Sequence, residues 1–280
     1  MKKITRLFAA ALVVHAALFT VACNKLDYDE NYAKSYNVPI PVPQPFEGED
    51  ILGANDAQKF QITRNKSTKA ASLTVAEAGE WAVFLVTEEN LTDTTDLVLR
   101  GNTAGTFSLS VPTDSHSLFR VVTPDGIATI TERQLPMSAM NNFRDIGGYR
   151  TKDGRYVKWR KILRCEAIDT KLSAADKDYL ATLTLISVCD FRGVGSAAGE
   201  VTPSTVINKW DLPINSWDAG STMFTINSQM VTKQIFIDQF IQLFEYLMDD
   251  ENISLVFHCS AGKDRTGMAA ALILFALGVD

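Results

Sequence analysis

The stretch HCSAGKDRTG, residues 258–267, joins an apolar β-run to a helix-forming run, and no other feature constrains the fold as tightly. Upstream, SLVF (Ser254 to Phe257) predicts a buried strand. Downstream, Met268 to Leu277 predicts a helix that Gly278 is placed to end. A strand that turns through a short loop into a helix aims several free backbone N–H groups at one point, with the positive end of the helix dipole behind them. A phosphate fits there. So does a thiolate, because the same field lowers a cysteine's pKa. Cys259 stands at that point, Arg265 follows six residues on, and Gly262 and Gly267 give the backbone freedom to curl round an anion.

This spacing resembles the signature of the protein tyrosine phosphatase superfamily, H-C-x5-R followed by Ser or Thr. The resemblance implies Cys259 as nucleophile and Arg265 as a two-oxygen clamp on phosphate. It implies that Thr266 bonds the thiolate and that His258 orients the loop, with Ser260, Ala261, Gly262, Lys263 and Gly267 completing the phosphate-binding loop. A second motif, NNFRDIGGY (Asn141 to Tyr149), is similar to the N-F-R-D-x-G-G entry motif of a bacterial tyrosine phosphatase family whose loop reads H-C-x-x-G-K-D-R-T-G. KILRCEAI, Lys161 to Ile168, occupies the place of that family's L-x-R-S-x strand, with Cys165 where serine is usual. TLISVCDFR, Thr184 to Arg192, matches its strand ending in D-L-R. The resemblance covers residues 136–280 and predicts an α/β domain with a largely parallel sheet, truncated at its C-terminus.

The implied chemistry is phosphomonoester hydrolysis through a cysteinyl-phosphate intermediate, with neither metal nor cofactor. Asp264, inside the loop, is the implied acid or base. Asp190 and Asp218 compete for that role, and Asp190 alternatively orients Arg265 or Arg192 by a salt bridge. Asn142, Arg144 and Asp145 of the upstream motif are supporting candidates. Lys263 beside Asp264 resembles the loops of phosphoinositide and dual-specificity phosphatases. The substrate is therefore open between phosphotyrosine, phosphoserine or phosphothreonine, and phosphoinositide.

Charge narrows the partners. A net charge of −6 with a pI near 5.2 argues against a nucleic-acid binder. Yet residues 144–164 hold eight Lys or Arg against only Asp145 and Asp153, an excess that suits either an anionic substrate or a solvated hairpin turning at Gly154. The three histidines are scattered, with no metal-ligand spacing.

The N-terminus reads as a targeting segment. Lys2, Lys3 and Arg6 precede a fifteen-residue apolar run, Leu7 to Val21, short for a membrane span. Ala22 then Cys23 resembles a bacterial lipoprotein signal, with cleavage after residue 22 and lipid on Cys23. The expected product is an exported, membrane-anchored lipoprotein of the cell envelope. Residues 23–45, containing VPIPVPQP, predict a polar, semi-rigid tether. From residue 46 to 135, seven short apolar runs broken by turn signals predict an all-β, immunoglobulin-like sandwich. The expected partners are a phosphorylated protein or phosphoinositide, and the membrane through the lipid.

Two other readings compete. A catalytically silent phosphate-binding or adhesive surface lipoprotein would not need Cys259, Asp264 and Arg265 intact. A sulfurtransferase also places a cysteine loop at a helix N-terminus, but would not need the G-K-D-R-T-G run.

Overall fold

The computed structural model describes residues 59–168, 172–193, 205–214 and 225–279. The signal and tether segments, Cys23 and Asp218 lie outside these residues.

All seven strands expected in the first half form. They are β1 (Phe60–Arg64), β2 (Ala71–Val75), β3 (Trp81–Val86), β4 (Leu97–Gly101), β5 (Gly105–Leu109), β6 (Leu118–Thr123) and β7 (Gly126–Ile130). They build two antiparallel sheets, ordered β1-β2-β5 and β4-β3-β6-β7. Strict alternation explains why: β1 and β2 bury every second residue, and Phe60, Ile62, Leu73 and Val75 meet Trp81, Val83, Phe119 and Val121 in one core.

The second half is α/β. Its sheet runs β11-β10-β12-β9-β8, from β8 (Arg144–Asp145), β9 (Ile162–Cys165), β10 (Ser187–Asp190), β11 (Asn208–Asp211) and β12 (Leu255–His258). The first four in that order are mutually parallel, and β8 is antiparallel on the edge. Strands β10 and β12 are buried along their whole length, as central strands covered on both faces must be. Helix α1 (Ala174–Ala181) covers one face, where Tyr179 and Leu180 pack on Leu163, Val188 and Val256. Helices α2 (Ile226–Met230), α3 (Gln234–Leu247) and α4 (Asp264–Ala276) contribute to the core on the other face, with Phe236, Phe240 and Ile273 against Phe191 and Phe257.

Local signals locate these helices well. Ser173 caps α1 in a reciprocal box with Asp176. The α3 stripe buries Phe236, Phe240 and Leu243, whereas Ile235 is exposed because it stands one residue off the buried arc. Helix α4 begins at Asp264, four residues before the apolar run, because its polar first turn carries no periodic signal. Gly278, at φ +83°, follows its cap as expected.

The two halves interlock. The segment after β7 bridges β1 at Ile62–Glu132 and β8 at Gln134–Arg144, linking the sheets of the two halves. Buried Glu132 accepts from Arg64 Nε at 2.7 Å and from the Tyr179 hydroxyl. Lys69 reaches from the β1–β2 turn to Asp176 at 2.6 Å and to the Pro136 carbonyl.

Candidate active site

The site sits at the C-terminal ends of the parallel strands, where an open α/β sheet places its ligands. Strand β12 delivers His258 and Cys259, β10 delivers Asp190, and β9 delivers Arg164. The loop from Cys259 to Lys263 then turns into α4.

Gly262 makes that turn possible. Its φ is +65°, and a Cβ there would fall 2.6 Å from the Cys165 carbonyl oxygen. The loop is therefore pressed against the end of β9. Three further ties hold it. Ala167 N–H donates to the Ser260 carbonyl at 3.2 Å. Asn142 Nδ2 donates to the Ala261 carbonyl at 2.9 Å and to that of Gly262 at 3.3 Å. Arg164 Nη2 donates to the Gly262 carbonyl at 2.7 Å. With its carbonyls taken from outside, the loop is free to turn N–H groups inward.

Cys259 is 3% exposed. Burial alone would raise its pKa. The Thr266 hydroxyl and N–H, the Arg265 charge and the Gly262 N–H together outweigh burial and hold the thiol below its usual 9.0. The Thr266 hydroxyl is wholly buried and makes no hydrogen bond of ordinary geometry, so its proton can serve the sulfur once the thiol ionises. Cys189, by contrast, is pushed up by complete burial and is no nucleophile.

Arg265 is aimed by carbonyls. Its Nη1 donates to Phe191 O at 3.0 Å and Ile214 O at 3.3 Å, and its Nη2 to Ser260 Oγ at 3.2 Å. Its Nε has no partner among the described residues, leaving one edge of the guanidinium for two oxygens of an anion. Lys263 and Asp264 are exposed at the start of α4, and Gly267 lies against the Arg164 guanidinium.

Asp190 does not pair with Arg265. Its carboxylate takes Arg192 in a fork, with contacts at 2.8 and 3.0 Å, and lies 3.8 Å from buried His258 Nδ1. Held this way it shapes the strand end. Asp145 accepts from the N–H groups of Gly147 and Arg160, both at 2.7 Å, and burial raises its pKa. It organises its own segment, where Gly147 and Gly148 lie under Trp159 with no room for a Cβ. Arg144 is exposed beside Arg164, its partner across β8 and β9. Arg164 went unnoticed as a site residue in the sequence; its place at the end of a strand paired with β12 was the available signal. No group of three His, Cys, Asp or Glu capable of holding a metal exists among the described residues.

A cysteine with lowered pKa, a helix N-terminus and a guanidinium edge with no partner among the described residues meet in one loop. The model of the tyrosine phosphatase family matches residues 135–280, and this chain belongs to that family. A curated Cupriavidus necator protein, provisionally named a tyrosine-protein phosphatase, is 32% identical over 161 residues, covering 52% of this chain. The matched region spans 58% of that relative's length.

Proposed function

We propose that the protein hydrolyses phosphate monoesters in two steps through Cys259. The thiolate attacks phosphorus in line, forming the S–P bond as the P–O bond to the leaving group breaks. Asp264 gives its proton to the departing oxygen. Water then attacks phosphorus, returns a proton to Asp264, and expels the thiolate as phosphate leaves. Arg265 and the inward N–H groups hold the phosphoryl oxygens as charge moves between them. Thr266 donates to the sulfur each time it is anionic.

One observation carries this reading: a nearly buried thiol whose acidity is nonetheless raised, at the N-terminus of α4. A silent phosphate binder has no use for an activated sulfur. The substrate is a phosphorylated protein, with phosphoinositide as the competing class. The order of the β strands supports an immunoglobulin-like sandwich in which the fourth strand has joined the opposite sheet. Lipid on Cys23 would hold both halves at the outer face of a bacterial membrane, so that the substrate is an exported or foreign phosphoester.

Phosphate release from phosphotyrosine peptide, phosphoserine peptide and short-chain phosphoinositide tests the proposal. Cys259→Ser is expected to lose turnover by more than about a thousandfold while still binding tungstate. Turnover within about tenfold of wild type would remove Cys259 from the chemistry.

A further inference from the structure

Where their sheets join, the two halves enclose a cleft of about 280 Å³. Gln61, Thr63 and Lys66 line it from the β half, and Arg133, Gln134 and Arg144 from the other side. No Asp or Glu lines it. Four cations line it: Arg64 is neutralised by buried Glu132 at 2.7 Å, and in a chain of net charge −6 the other three, Lys66, Arg133 and Arg144, are gathered there without a paired carboxylate.

Their charges are held in place but not neutralised. Arg133 lies over the rings of Tyr149 and Trp159, 4.2 and 4.9 Å from their centroids, and donates to the Asp145 carbonyl at 3.2 Å. The Asp145 carboxylate itself is buried and occupied by backbone N–H groups. Lys66 donates to the Met140 carbonyl at 2.9 Å and to Asn141 Oδ1 at 2.6 Å, both neutral. None of the three cations forms an ion pair among the described residues. Arg144 also faces Arg164 directly across the strands, an unfavourable pairing of like charges that an anion would relieve.

A chain of pairings joins the cleft to the loop that carries Cys259. Gln134 bridges Arg144, Arg144 pairs with Arg164, and Arg164 holds the Gly262 carbonyl. Residues paired across strands project to the same face, so these side chains form a row running from the cleft to the catalytic loop.

We propose that this cleft binds the acidic flank of a phosphopeptide whose phosphate occupies the catalytic loop. The proposal rests on the phosphatase reading and names its substrate class. Gln61, Thr63 and Gln134 supply the neutral donors and acceptors that a peptide backbone needs beside the cations. A bilayer-borne headgroup fits less well, because none of the exposed large apolar side chains of the described residues lines the cleft.

The test uses the whole chain and two measurements. In the first, anisotropy follows a labelled, unphosphorylated Glu-rich peptide, which needs no turnover. In the second, kcat/KM is compared for phosphotyrosine peptides with acidic and with neutral flanks. Thr63→Glu and Gln134→Glu, both exposed, place negative charge in the cleft. Wild type is expected to prefer the acidic flank by about tenfold, a preference that salt weakens. Each variant should bring the ratio close to one and weaken peptide binding to match. Equal kcat/KM for both flanks in wild type would overturn the proposal, as would a preference that survives both variants. Preference for short-chain phosphoinositide over every peptide, lost in the same variants, would reassign the cleft to a headgroup and overturn the peptide assignment. Peptide binding that responds to the variants, with no hydrolysis of any phosphoester, would keep the cleft and reject the phosphatase reading.

Discussion

At the scale of the residue, the decisive quantity is the balance at Cys259. Burial raises the thiol pKa; one hydroxyl, two N–H groups and one guanidinium lower it further than burial raises it. A thiol whose pKa lies below its ordinary value is ionised over a lower pH range, and its reactivity climbs with pH until that pKa is passed. Thr266→Ala removes the hydroxyl that lowers this pKa more than any other single group. The midpoint for alkylation of Cys259 by iodoacetamide should therefore move to higher pH. Phosphate release at neutral pH should fall by about 10- to 100-fold, the worth of one hydrogen bond to a charged group. An unmoved alkylation profile would show that Thr266 serves only packing.

At the scale of the element, the loop between β12 and α4 is shaped as much from outside as from within. Asn142 and Arg164 take its carbonyls, and the end of β9 presses on Gly262. Gly262→Ala forces a side chain into a left-handed backbone and against the Cys165 carbonyl. The left-handed conformation alone costs about 1–2 kcal/mol, and the clash adds to it. Stability in denaturant should fall by at least that amount, and tungstate binding should weaken because the N–H groups no longer converge. Retained stability with lost binding would locate the damage in the loop alone. This constraint was half legible: glycine at 262 suggested a tight turn, but the strand it presses against was not visible from the loop.

At the scale of the whole molecule, the β half contributes to the body that holds the site. Lys69, at φ +59° in the β1–β2 turn, extends to Asp176 on α1, and Asp176 also accepts from Ser138 and Ser173. Burial works against the charged Asp176, but the Lys69 ammonium and these donors prevail and take its pKa from 3.8 to about 2. The sign follows: this stability is complete above the unfolded value and is lost as pH falls from about 4 towards 2. It amounts to about 2 kcal/mol. Asp176→Asn should flatten the acid limb of the stability curve. Lys69→Met should cost more, about 3–5 kcal/mol, because it leaves a buried carboxylate unpaired. Both should shift a single unfolding transition if the halves unfold together. Two separated transitions would show that the interface does not couple them.

What the chain determined by itself was whatever lies within a short window. Short apolar runs between turn signals place seven β strands, helical spacing of apolar residues marks α3, Ser173 marks the start of α1, and the run from His258 to Gly267 places a strand, a tight turn carrying a cysteine, and a helix. These signals are local because strand period, helix period and capping are properties of neighbouring residues. Tertiary structure decided the pairings. Asn142 meets the loop across 119 positions and Lys69 meets Asp176 across 107, and no periodicity encodes either. Of the roles the sequence left open for Asp190, the fold selects the salt bridge to Arg192, while Asp145 is taken by backbone N–H groups of its own segment. The cleft is the clearest case. Arg144 stood out in sequence through its motif and the cation excess of residues 144–164, but Lys66 and Arg133 did not, and only the bridge from β1 through Glu132–Gln134 to β8 brings the three together. Electrostatic fields add through space rather than along the chain, so the charge of the cleft exists only once the sheets are joined.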